Sequence, residues 1–284
     1  MGEGEIIMKK FFKILTASAL AVSIAAGAAA FAACNDGDSV IKVAASITPH
    51  AEILTEVVKP ALADKGYTLE VIEFTDYVQP NLVVEQGEAD ANYFQHNLYL
   101  EDFNAQRGTH LNAVAQVHYE PFAAYKGGKF TGGDLSALPD GAKIGIPNDG
   151  TNEARALKLL EKEGLITLKT DVVSSNATKL DIVSNPKNLY IVELEAAQVA
   201  KSLPDLAVGV VNGNYALQNS LKIADAIASE DKTDDAVRQY VNVLAVKAGN
   251  EESPKIKALV EALLSDDVKN FIQTRYGGAV VAVF

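Results

Sequence analysis

Few residues in this sequence are equipped for chemistry, and their spacing narrows the kind. His50, His96, His110 and His118 are the four histidines, and Cys34 is the one cysteine. A secreted zinc-binding protein would gather three histidines, yet these show no metal-ligand periodicity. A lone thiol can build neither an intrachain disulfide nor a cysteine cage. Downstream of residue 40 there is no nucleophile elbow, phosphate-binding loop, dinucleotide loop or zinc-protease helix. The sequence therefore predicts no covalent catalysis, no metal and no cofactor.

A different arrangement lies at Lys143 to Arg155. Lys143 to Pro147 reads as a strand, Asn148 to Asn152 as a polar turn, and Thr151 to Glu163 as a helix closed by Gly164. Unpaired N–H groups and the positive helix end then face a crevice at the carboxyl end of the strand, where anions bind. Arg155 is four residues past Thr151 on the same helix face. Its planar fork suits a ligand carboxylate, which it can meet with two hydrogen bonds. The alternative is a surface arginine paired with a nearby glutamate.

The elements that must hold these residues alternate in type. Ile41 to Ala45 and Thr68 to Phe74 read as strands around a helix from Pro49 to Lys65. Thr48 is the expected N-cap, Pro49 the first helical residue and Gly66 the stop. Pro60 predicts a kink or two shorter helices. Further strands are expected at Leu189 to Glu193 and Leu206 to Val211, and a helix at Ser253 to Leu264. This alternation predicts α/β architecture with largely parallel sheets. The chain has 284 residues, 48% hydrophobic and 22% charged, enough for one large core or two smaller ones. Leu111 to Tyr125 and Tyr240 to Ala248 are long enough to cross between two lobes. The first lobe would then be 40–122 plus 242–284, and the second 123–241. With 25 Lys and Arg against 37 Asp and Glu, the net charge is −12. Such a surface repels phosphate backbones, so no nucleic-acid partner is expected.

Lys9, Lys10 and Lys13 precede an uncharged apolar stretch, Ile14 to Ala33, that ends in Phe31-Ala32-Ala33-Cys34. Residues 1–33 read as a signal peptide, with a transmembrane helix as the alternative. Glu3 and Glu5 do not suit a leader, so Met8 is the expected start. Small residues before a cysteine resemble the lipobox of bacterial lipoproteins, which implies that Cys34 is acylated and becomes the first mature residue. Residues 34–39 would form a lipidated tether. Two or more acyl chains anchor a soluble domain stably where one does not. The domain would sit on the extracytoplasmic side of the cell membrane.

Asp76-Tyr77-Val78-Gln79-Pro80-Asn81 is followed by Gly87 to His96, then by Pro147-Asn148-Asp149-Gly150-Thr151-Asn152-Glu153-Ala154-Arg155. Asn185 to Leu189, Val192 to Ala197, Val211-Asn212-Gly213-Asn214-Tyr215-Ala216 and Gly277-Gly278-Ala279 complete the series. Together, from Val40 to Phe284, these motifs resemble the methionine-binding lipoproteins of bacterial ABC importers, the NlpA-type family. The resemblance implies a type II periplasmic-binding-protein fold, two α/β lobes joined by a two-strand hinge. It also implies capture of L-methionine and delivery to an ABC permease and its ATPase by a monomer. Asn152, Arg155 and Asn212 would bind the polar end of the ligand, since a carboxamide can accept from an ammonium and donate to a carboxylate. An Asn-Gly turn, or the same role for Asn214, is the alternative at Asn212. Tyr77, Phe94, His96 and Tyr119 would form an apolar wall for the thioether. D-methionine, a methionine-containing peptide or another amino acid are rival ligands. A secreted α/β hydrolase or a surface interaction protein is the reading from other classes.

Overall fold

The computed structural model describes residues 39–171, 175–231 and 235–284, without the side chains of 235–237. The expected signal peptide, the start at Met8, Cys34 and the tether up to residue 38 lie outside the described residues. Among the described residues, no helix is long and apolar enough to cross a membrane.

Two buried strands found the first sheet. β1 (Val40–Ser46) is buried at most positions and β3 (Ala91–His96) at all six. They pair in parallel from Val43/Ala91 to Ala45/Tyr93; β1 is the apolar run that burial on both faces favours, whereas β3 also buries Asn92, Gln95 and His96. With β2 (Thr68–Phe74), β4 (Leu111–Tyr119), β12 (Asn242–Lys247) and β13 (Val281–Ala282) the order is β13-β4-β12-β3-β1-β2. The second sheet has β5 (Ala123–Lys126), β6 (Lys143–Pro147), β9 (Tyr190–Leu194), β10 (Val208–Val211) and β11 (Ala228–Ser229) in the order β11-β5-β10-β6-β9. β7 (Thr167–Leu168) and β8 (Ile182–Ser184) pair separately. Ile41, Ile53, Tyr93 and Leu259 belong to one buried apolar cluster, and Phe122, Ile144, Leu157 and Val208 to another.

The sheets are mixed rather than largely parallel. β1/β3, β6/β10 and β6/β9 are parallel, but β12 runs antiparallel to β3 and β4, and β5 antiparallel to β10 and β11. The chain leaves the first sheet through β4 into β5 and returns from β11 to β12. In each sheet the returning strand lies beside the outgoing one and must point the other way. The expected strand Leu111 to Tyr125 is therefore two strands, broken at Glu120-Pro121-Phe122, where Pro121 has no N–H for a ladder.

The helix after β1 departs from the ideal. Thr48 keeps extended angles (φ −137°, ψ 140°), so the helical path begins at Pro49. A wide π-type turn, Leu54–Val58, precedes α1 (Lys59–Ala63), and Pro60 falls in the first turn of α1, where its missing N–H is tolerated. Sequence periodicity did not reveal α2 (Gln79–Glu85), α3 (Asn97–Arg107) or β3. α4 (Gly150–Lys162) follows β6, α5 (Ala196–Val199) follows β9, and α6 (Gly213–Gln218) follows β10. α7 (Pro254–Leu263) and α8 (Asp266–Tyr276) start with the Ser253 and Ser265 hydroxyls accepting from the N–H groups of Ile256 and Val268.

Candidate functional site

Buried amides fix one wall of the crevice. Asn81 on α2 and Gln95 on β3 exchange hydrogen bonds of 2.9 and 2.6 Å, and Asn92 Nδ2 donates to Asn81 Oδ1 at 2.8 Å. Each carboxamide offers both a donor and an acceptor, so this cluster satisfies itself without water and pins α2 to β3. The end of β3 is thereby fixed, with Phe94 and His96 on it. His96 is also the N-cap of α3, its Nδ1 accepting from the Tyr99 N–H at 3.0 Å. The proton must then sit on Nε2, which lies 3.3 Å from Asn152 Oδ1. Burial and the Arg155 charge push this imidazole down to about 3, so it stays neutral.

The opposite wall starts at α4. Asp149 caps that helix, its Oδ1 accepting from the Asn152 N–H at 3.1 Å and from Asn152 Nδ2 at 2.8 Å. The expected anion site at this helix end is thus met by the chain's own carboxylate, because aspartate is among the best N-caps. With Nδ2 committed to Asp149, Asn152 turns its Oδ1 to His96 and to Asn212 Nδ2, the latter at 2.9 Å.

Between the walls lies a small cavity lined by Tyr77, Phe94, His96, Tyr99, Glu120, Asn152, Arg155 and Asn212 among others. Tyr77 Oη donates to Asn214 Oδ1 at 2.5 Å, and Tyr215 Oη to the Thr75 carbonyl at 3.0 Å. These bonds link residues near α2 to α6 directly across the crevice. Two buried polar atoms on lining residues have no partner: Asn212 Oδ1, an acceptor, and Asn214 Nδ2, a donor. Buried groups left unpaired cost about 1–3 kcal/mol each, so such atoms mark where a ligand belongs.

Arg155 is buried, yet its fork is occupied. Nε and Nη2 reach Glu230 Oε1 and Oε2 at 2.7 and 2.6 Å, and Nη2 also donates to the Glu120 carbonyl at 3.0 Å. The guanidinium carbon stands 4.2 Å from the Tyr240 ring centre and 4.8 Å from that of Phe122. Both sequence readings of Arg155 are therefore amended: it is paired with a glutamate, but inside the protein, and its Nε and Nη2 are already committed to protein acceptors. Tyr119 does not line the cavity. Its hydroxyl donates to Glu230 Oε2 at 2.6 Å behind the arginine.

A second carboxylate, Glu120, sits on the cavity wall at the break between β4 and β5. It accepts from His118 Nε2 at 2.8 Å, and His50 Nε2 is 3.6 Å away while donating to Asn242 Oδ1 at 3.0 Å. Tyr93 Oη donates to His118 Nδ1, and Ser46 Oγ lies 3.3 Å from His50 Nδ1. Each ring so carries its proton on Nε2 and remains neutral: burial lowers His50 to about 4 and His118 to about 3. Burial also raises the Glu120 carboxyl. His50, His118 and Glu120 place one possible metal ligand each within 4.8 Å of one another, a convergence that sequence spacing did not show. In the structure these atoms bond to each other and to Asn242. Gly213 is needed here, since a Cβ would fall 2.6 Å from Glu120 Cβ and Oε2.

Six of the sequence-selected residues, Tyr77, Phe94, His96, Asn152, Arg155 and Asn212, meet at this cavity. Sequence reasoning missed Tyr99, Gln95, Glu120 and Asn242, which also line it. An acidic residue between Tyr119 and Pro121-Phe122, in an otherwise apolar stretch, was the available signal for Glu120. Glu230 gave none, being 75 residues from Arg155.

The sequence model of the NlpA lipoprotein family matches residues 41–284. The Bacillus subtilis methionine-binding lipoprotein MetQ is 43% identical over 254 residues, 88% of this chain and 90% of its own. The Escherichia coli K12 D-methionine-binding lipoprotein MetQ is 38% identical, covering 95% and 98%. Among solved structures, a lipoprotein from Ruminococcus gnavus is 53% identical with a TM-score of 0.83, covering 87% of this chain and all (100%) of its own. A nutrient-binding protein from Burkholderia cenocepacia bound to methionine is 42% identical with a TM-score of 0.80, covering 86% and 100%. The fold shared with these neighbours is the two-lobed α/β type II binding-protein fold with a two-strand hinge. On this likeness of sequence and structure, the chain belongs to the NlpA lipoprotein family.

Proposed function

We propose that this chain is the solute-binding component of a bacterial methionine importer, holding L-methionine between its lobes and delivering it to an ABC permease and its ATPase. The observation that carries this reading is the pair of unpartnered atoms on the cavity wall, Asn212 Oδ1 and Asn214 Nδ2. An amino acid has one group for each: its ammonium donates to the carboxamide oxygen and its carboxylate accepts from the amide nitrogen. Nη1 of Arg155 is the second donor for the carboxylate. Phe94, Tyr77 and Tyr99 form an aromatic cluster, with Tyr77 and Phe94 centroids 5.7 Å apart, and sulfur–ring contacts of about 0.3–1.5 kcal/mol favour a thioether there. The names of the Bacillus subtilis and Burkholderia relatives support methionine. The name of the Escherichia coli relative favours D-methionine as the second reading.

In this reading residues 40–122 with 242–284 and residues 123–241 are the bodies that close on the ligand, which stabilises closure because it contacts both. The protein acts as a monomer without covalent chemistry. Residues 1–33 are removed, and lipidated Cys34 with the tether 34–39 holds the domain at the extracytoplasmic membrane face. Cys34→Ala should leave the protein in the soluble fraction or as precursor; unchanged detergent partitioning contradicts the anchor. The ligand is tested by mass spectrometry of small molecules released on denaturing the purified protein. Methionine in near-stoichiometric amount is expected, and a different amino acid in that amount refutes the assignment.

A further inference from the structure

The Arg155 fork is already taken by a protein carboxylate, and this decides what charge the crevice tolerates. Glu230 accepts four hydrogen bonds: Arg155 Nε at 2.7 Å, Arg155 Nη2 at 2.6 Å, Tyr119 Oη at 2.6 Å and the Phe122 N–H at 3.1 Å. Its own N–H donates to the Phe122 carbonyl at 3.0 Å. It is therefore a fixed anion, saturated by its neighbours and tied to the segment that joins β4 to β5. Glu230 does not line the cavity, whereas Arg155 does. His50, His96 and His118 are neutral, and Glu120 and Asp149 are held by hydrogen bonds inside the protein. Arg155 and Glu230 thus cancel, the hydrogen-bonded carboxyls of Glu120 and Asp149 add no positive charge, and the inner crevice has no surplus positive charge for an anionic ligand to neutralise.

We propose that Glu230 is a positioning and specificity-determining residue: by holding Nε and Nη2 of Arg155 from behind, it presents Nη1 to the ligand and confines the site to molecules with no net charge. An α-amino acid zwitterion brings one charge of each sign and leaves none uncompensated. A net anion would add a second negative charge near Glu230, and a net cation would face the guanidinium without a carboxylate to offer it. Buried charges without partners are strongly disfavoured, so the discrimination is electrostatic and independent of side-chain fit.

The proposal rests on the amino-acid reading of the site, and its test separates the two. Affinities of wild type, Glu230→Gln and Glu230→Asp are measured by calorimetry, or by competition where weak, for L-methionine, N-acetyl-L-methionine (net anion) and L-methioninol (net cation). A unit charge roughly 8 Å from another, at an effective dielectric of ~20, changes an equilibrium by about thirtyfold. Glu230→Gln shifts the two charged probes by that factor in opposite directions, so the affinity ratio of N-acetyl-L-methionine to L-methioninol should rise by about a thousandfold over wild type. Glu230→Asp keeps the charge and should keep the wild-type ratio even if all three ligands weaken. Parallel losses for both charged probes in Glu230→Gln, or a Glu230→Asp ratio that moves as far, would overturn the proposal while leaving methionine binding intact. Wild type that binds none of the three overturns the amino-acid reading and this proposal with it.

Discussion

Replacing Arg155 by alanine should damage the fold and the binding site by separable amounts. The guanidinium makes three hydrogen bonds of 2.6–3.0 Å, two of them to Glu230, with both side chains largely buried. Burial alone would raise the Glu230 carboxyl, but the Arg155 charge and hydrogen bonds outweigh it and hold the group below the usual carboxylate range. Arg155→Ala leaves that carboxylate with only Tyr119 Oη and the Phe122 N–H. Breaking a buried pair by removing one partner costs about 3–5 kcal/mol, chiefly through the charge left behind. In a Glu230→Gln background no charge is stranded, so the same alanine substitution should cost less by at least about 1 kcal/mol. Urea unfolding of ligand-free, refolded protein gives all four corners of this cycle. Methionine affinity should fall independently by about 2–5 kcal/mol, some thirtyfold to several thousandfold, because a ligand carboxylate loses its charged donor. Additivity of the two substitutions within about 0.5 kcal/mol would refute the claim that the pair acts as a unit.

Gly213→Ala places a methyl carbon 2.6 Å from Glu120 Cβ and Oε2, so the carboxylate must leave His118; methionine affinity should drop by about tenfold or more while the melting temperature falls only modestly. Unchanged calorimetric affinity would show that Glu120 has no part in the site. The histidines predict a pH dependence. His50, His96 and His118 are lowered from 6.5 to about 4, 3 and 3, so unfolding takes up protons as pH falls below 6.5. Their contribution is complete above about pH 6.5 and is lost as pH falls, down to about 4 for His50 and about 3 for His96 and His118, at up to about 1.4 kcal/mol per pH unit for each ring. Glu120 and Asp149, raised by burial, oppose this in part. The ligand-free melting temperature should be lower at pH 5 than at pH 7, and a flat or rising profile would contradict neutral buried rings.

The parts of this architecture written in local pattern were legible in the sequence. β6, the turn after it and α4 follow from an apolar run, a polar break and a helical stripe, and Pro49 and Ser253 mark helix starts by their chemistry. β3 was not legible, because Asn92, Gln95 and His96 look polar in sequence and are buried only as members of an amide and imidazole network. The Arg155 environment was half legible. A helix face can be read from spacing, but Glu230 reaches it from the segment just after β11, far along the chain, and no local rule reports that. Asp149 was read as part of a turn, although its side chain takes the helix end that was assigned to a ligand. Mixed strand direction likewise follows from two crossings lying side by side, a property of topology rather than of any one segment.

Titration calorimetry of the protein, unfolded and refolded to remove bound ligand, against L-methionine and D-methionine tests the central claim most directly. Saturable binding of one methionine per chain, tighter for the L form, is the predicted result. A folded, ligand-free protein that gives no binding heat with either enantiomer at several temperatures, and no rise in melting temperature with them, would contradict it.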